Sequence, residues 1–207
     1  MSLPDSSEQP IRSQQVRAAE STRRLLDAAI ELIAEKGFER TTAIEIGERA
    51  GYSRSMVRFR YGSKEALLES LLRNEYEPLL LATPPEGLNG HGRALNALSR
   101  ICIAAQTQPA LLRAFFTICF ETVGPIEQLK PWLSDWLSRF ETEVASSLRE
   151  GIADGSVAAH VDPDLEGRRS IAMGLGVGFR WALDPSRDFV AEWTDYIDRA
   201  AAEWRNP

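Results

Sequence analysis

Only two histidines and two cysteines occur among the 207 residues, and no apolar run approaches the length of a bilayer span. Each scarcity excludes something. His91 and His160 stand alone, without a partner at ligand spacing, so both read as surface residues and no zinc set or histidine-based catalytic pair is expected. Cys102 and Cys119 lie in apolar stretches without C-x-x-C spacing, which argues against a disulfide framework and for buried free thiols. A spanning helix needs about 20 consecutive apolar residues, and the opening MSLPDSSEQP is too polar for the core of a signal peptide. A cytoplasmic protein with no membrane partner is expected. The phosphate-cradling loops G-x-G-x-x-G and G-x-x-x-x-G-K-[ST] are missing, and GLGVG at 174–178 falls within a helical pattern with no strand before it. No catalytic residue, metal or cofactor is therefore indicated, and no enzyme is expected. Asp162, Asp164 and Glu166 are more economically a helix cap than a cation site.

Positive charge is also short, the net charge being -6, but the deficit is uneven. From Ile11 to Glu75 twelve basic residues outnumber ten acidic ones, and acids dominate the remainder. Affinity for phosphates needs a basic face, not a basic protein.

What is abundant is helical periodicity. Leu26, Ala29, Ile30 and Ile33 recur at helix spacing, as do Leu67, Leu68, Leu71 and Leu72, and no alternating strand pattern appears. The reading is all-α. Residues 1–12 are polar and aperiodic, which suggests a disordered tail. The stretch ATPPEGLNGHG, Ala82 to Gly92, separates an N-terminal domain over 13–81 from a C-terminal helical domain over 93–207.

The N-terminal domain is punctuated closely enough to draw. Lys36-Gly37-Phe38 reads as a helix stop, with Gly37 in the left-handed region and Phe38 folding back on Ile33. Thr42-Ala43-Ile44-Glu45 is a capping box that starts a second helix at Ala43. Ala50-Gly51 ends it, Ser53 is placed to cap a third helix over Arg54 to Tyr61, and Ser63 a fourth. Two short helices across a tight turn form a helix-turn-helix, which reads the DNA major groove. Val57 and Tyr61 form the inner face of the third helix, which leaves Arg54, Ser55, Met56, Arg58, Phe59 and Arg60 outward as guanidinium forks and apolar groups for base edges. Thr42 and Lys64 flank this face, and Lys64 stands beside a helix N-terminus suited to phosphate.

The segment TRRLLDAAIELIAEKGFERTTAIEIGERAGYSRSMVRFRYGSKEALLESLL, Thr22 to Leu72, resembles the TetR family of bacterial regulators. The resemblance implies a supporting helix over Ile44–Ala50, a recognition helix over Arg54–Tyr61 and a phosphate contact at Lys64. Members often carry a tyrosine near Arg58 or Phe59 and a phenylalanine at Tyr61, so this chain departs at both places.

Beyond Gly92 five helices are expected, near Arg93–Thr107, Pro109–Val123, Pro131–Ala153, Pro163–Leu183 and Arg187–Trp204, three of them opened by proline. Phe115, Phe116, Cys119, Phe120, Trp132 and Trp136 either fill the core or line a pocket. The resemblance implies the pocket, with a small apolar or amphipathic effector. Gly174 and Gly178, with the stripe Phe189, Trp193, Ile197, Ala200 and Trp204, suggest close helix packing, within the chain or between two copies. The resemblance implies a dimer, which suits palindromic double-stranded DNA, and a repressor is the expected mode because occluding a promoter requires nothing beyond DNA binding. A helical scaffold whose helix-turn-helix does not touch DNA is the alternative.

Overall fold

The computed structural model describes residues 8–206. Among them every regular element is helical, apart from one isolated bridge between Val157 and Arg205. Helix α1 (Glu8–Lys36) is long, α2 (Ala43–Arg49) and α3 (Met56–Tyr61) are short, and α4 (Lys64–Leu71) passes through a π-helical turn at Leu72–Tyr76 into α5 (Glu77–Leu80). Then follow α6 (Gly90–Thr107), α7 (Pro109–Glu121), α8 (Lys130–Asp154), α9 (Pro163–Leu183) and α10 (Phe189–Trp204). No single described helix is long and apolar enough to cross a membrane.

Local capping chemistry sets several boundaries. The Thr42 hydroxyl accepts from the Glu45 amide at 3.2 Å, and the Glu45 carboxylate accepts from the Thr42 amide at 2.9 Å, closing the capping box. Asp162 accepts from the amides of Asp164 and Leu165 at 3.1 Å and starts α9 ahead of Pro163, while Asp164 pairs with Arg149 and Glu166 with Arg169. At the sharp bend between α6 and α7, 115°, Pro109 opens the new helix where its missing amide costs no bond.

Helix α1 already runs at Glu8, so helix occupies part of the segment expected to be a tail; residues 1–7 lie outside the described residues. Helix α3 begins at Met56, because Arg54 and Ser55 form a turn closed by the Met56 amide on the Ser53 carbonyl at 3.0 Å. The Ser53 hydroxyl meets that of Ser55 instead of capping the helix. Helix α6 starts within the expected linker, at Gly90, since Asn89 supplies a cap to the Gly92 amide. His91 is buried, its Nε2 at 3.1 Å from the Ala201 carbonyl. Cys119 is buried as expected, but Cys102 is half-exposed beside Thr194.

The core is continuous from the N-terminal helices into the C-terminal bundle. In the bundle α8 packs against α9 and α6, and α10 against α6 and α9, while α1 lies along α7. Tyr76, in the π-helical turn, is fully buried. Its hydroxyl donates to the Leu111 carbonyl at 2.8 Å and its ring lies 5.2 Å from Phe115, so the end of the N-terminal unit is tied to the start of α7.

Candidate nucleic-acid interface and apolar cavity

The helix-turn-helix is held together by a close backbone approach. A Cβ at Gly47 would meet the Ser53 carbonyl, so glycine lets α2 and the turn before α3 touch. Val57 and Ile46 are buried at this junction, with Met56 and Tyr61 partly buried against the same core.

The outward face of α3 is smaller than the sequence suggests. Arg58 and Phe59 are exposed, Phe59 at 82%, and so is Ser55. Arg54 is exposed but holds Glu48 at 2.8 Å. Arg60 is turned away from the outer face: its guanidinium donates to the Ala18 carbonyl at 2.9 Å and to Ser21 at 2.5 Å, binding α3 to α1. Met56 packs partly inward. Lys64, read as a phosphate contact, also points inward, donating to the Phe38 carbonyl at 3.0 Å and resting 4.2 Å above the Phe38 ring. Thr42 is exposed, with its hydroxyl donating to Glu45 at 2.8 Å.

The charge around α2 is organised by neighbours. Arg49 bridges Glu35 at 2.9 Å and Glu31 at 3.1 Å, and its hydrogen bond holds the Glu35 carboxyl below its ordinary range. Lys36 lies 2.5 Å from Glu45. That bond, with those from Thr42, holds the Glu45 carboxyl at about 2, well below its ordinary 4.5. A carboxyl lowered in the fold stabilises it fully above its unfolded value and loses that contribution as pH falls. The thermal midpoint is therefore expected to drop between pH 4.5 and 2 more steeply in the native protein than in Glu45→Gln. Parallel melting curves in that window would remove Glu45 from the acid response.

The aromatic cluster lines a small, partly open cavity of about 30 Å³ between α6, α7, α8 and α9. Phe115, Phe116 and Trp136 line it, joined by Phe140, Ile101, Leu112, Ser170, Ile171 and Leu175. Three other expected lining residues do not: Cys119 is core, Trp132 is only partly buried against the core, and Phe120 packs on Phe179 with ring centres 4.9 Å apart. The contribution of α9 was not anticipated, because Ile171 and Leu175 carry the same pattern as any buried helix face.

Gly174 also lines the cavity, and a Cβ there would lie 3.5 Å from Trp193. A Cβ at Gly178 would collide with the Phe116 ring. Both glycines therefore serve packing within the chain. Phe189, Trp193 and Trp204 are likewise buried inside it, Trp193 donating to the Leu98 carbonyl at 2.9 Å and Trp204 to Glu166 at 3.1 Å. An interface cannot be built from side chains already enclosed, so of the proposed dimer residues only Ile197, half-buried, keeps surface to offer.

Residues 25–71, from α1 through α4, match the family described as "Bacterial regulatory proteins, tetR family". The HTH-type transcriptional regulator BetI of Paraburkholderia phymatum is 32% identical over 116 residues, 54% of this chain and 50% of the relative. The regulator SrpR of Pseudomonas putida is 29% identical over 181 residues, 87% of this chain and 83% of the relative. Residues 25–71 of this chain are thus a tetR-family N-terminal region. The chain spans about half the length of the BetI relatives it matches. A likeness of fold extends through the C-terminal helices as well: SmeT, solved in a complex with triclosan, superposes with a TM-score of 0.69 over 89% of this chain and 91% of its own, at 20% identity.

Proposed function

We propose that the chain is a transcriptional regulator that binds palindromic double-stranded DNA as a homodimer and is released by a small apolar or amphipathic effector. A repressor is the simplest mode, since occupying a promoter requires nothing beyond binding. The observation that carries the reading is the outer face of α3, where Arg58 and the 82% exposed Phe59 stand free on a short helix braced by α1 and α2. A guanidinium fork suits a guanine edge, and an exposed apolar ring suits a thymine methyl.

A two-fold dimer fits the remaining surface. The outer side of α9 exposes Ala172, Gly176, Phe179 and Leu183 in one stripe, Leu183 at 70%, and nothing lies within 4 Å of a Cβ built on Gly176. Isologous packing of this face on its copy would cover the apolar stripe and set two reading helices for two half-sites.

The effector reading rests on the cavity. The cavity is small, about 30 Å³, so a bulky molecule needs the surrounding helices to shift as it enters. The Trp136 Nε1–H is buried without a hydrogen-bond partner, which favours an amphipathic molecule bringing one acceptor into an otherwise apolar space. The triclosan complex of SmeT supports this chemical class.

The test is selection of bound sites from a random duplex pool by the purified protein, with its mass measured by light scattering. A dimer enriching a palindrome is expected, and Gly176→Leu should give a folded monomer that binds it poorly. A native monomer that enriches no sequence would favour the scaffold alternative.

A further inference from the structure

The turn between α1 and α2 is gripped from two sides. Glu121, the last residue of α7, accepts from the Phe38 amide at 2.7 Å and lies 3.4 Å from the Glu39 amide. The Lys64 ammonium donates to the Phe38 carbonyl at 3.0 Å and approaches that of Glu39 at 3.4 Å. Gly37 is needed for its positive φ of 86°, and it leaves room for the Glu121 carboxylate, which a Cβ there would displace. Thr41, fully buried, closes the turn by donating to the Gly37 carbonyl at 2.7 Å. The next residue, Thr42, caps α2.

We propose that Glu121 is a positioning residue: it fixes the angle of the α2–α3 reading unit to the C-terminal helices by holding the turn Gly37–Glu39. A carboxylate accepting from backbone amides makes charge-assisted bonds, short and directional, where a packed apolar contact would allow sliding. Helix α7 carries this carboxylate at its end and Leu112, Phe115 and Phe116 against the cavity at its middle. Any displacement of α7 is thereby passed to a rigid turn, and from the turn to α2. The proposal rests on the DNA-binding reading for its consequence, but not for the contact itself.

Two measurements separate these. Amide hydrogen exchange in the full chain should show the Phe38 amide exchanging at least about tenfold faster in Glu121→Ala than in the native protein, with α8 amides unchanged, because a local bond has been lost and not the fold. Glu121→Gln retains a carbonyl acceptor and should restore most of the protection. Unchanged exchange at Phe38 in Glu121→Ala would overturn the proposal without touching the functional reading. The second measurement uses the palindrome enriched from the random pool. One base pair inserted between its half-sites should weaken the native protein by about 30-fold, because the two fixed heads no longer engage together, and Glu121→Ala by less than about fivefold. Equal penalties for the two proteins would show that Glu121 does not set the head angle. If the native protein enriches no DNA, the functional reading falls, and the exchange experiment still decides whether Glu121 holds the turn.

Discussion

Arg58→Ala is expected to lower affinity for the enriched palindrome by about 1–3 kcal/mol, roughly 5- to 150-fold, and to relax base preference at one position in each half-site. Arg58 is exposed on the outer face of α3, and among the described residues it makes no hydrogen bond or ion pair, so it can reach a base edge without breaking anything. Arg54 would first have to give up Glu48. Arg60 is the informative control: its guanidinium is spent on Ala18 and Ser21, so Arg60→Ala should loosen α3 from α1 and weaken all DNA sequences alike. Competition binding against a library of single-base variants of the palindrome distinguishes the two patterns. An Arg58→Ala protein with native affinity and native preference would move the reading surface elsewhere.

Trp193→Ala is expected to cost about 3–5 kcal/mol of stability, as large-to-small changes at enclosed aromatic sites do. Trp193 is fully buried, stacks on Phe189 with ring centres 6.4 Å apart, and donates to the Leu98 carbonyl across from α10 to α6. Urea unfolding at two protein concentrations reads the effect. A loss of the expected size at both concentrations places the residue in the core of one chain, whereas a loss below about 1 kcal/mol, or one present only in the dilute sample, would return it to an interface.

The contrast between these sites shows what the sequence carries. The Thr42–Glu45 box, the Asp162 cap and the Gly37 stop were legible because each is completed within a few residues. The same local logic failed at Ser53, where a hydroxyl before a basic stretch looked like a cap but the chain spends two more residues in a turn. Amphipathic stripes were legible as stripes only. The pattern of Phe189, Trp193 and Trp204 is the same whether the covering surface comes from α6 and α9 or from a second copy, and here it comes from within. The reading surface shrank for a related reason: spacing places Arg60 on α3, but only the proximity of α1 shows where its guanidinium goes. Glu121 was invisible because its partners lie more than eighty positions earlier in the chain.

The central claim is that this helix-turn-helix binds a specific duplex, and the salt dependence of that binding tests it most directly. Affinity should be titrated for the enriched palindrome and for a shuffled duplex of the same composition, between about 50 and 200 mM salt. The account predicts that both fall with salt, since both rest on phosphate contacts, while the palindrome stays tighter by about 10³-fold or more throughout. Equal affinities for the two duplexes at every salt concentration would contradict it.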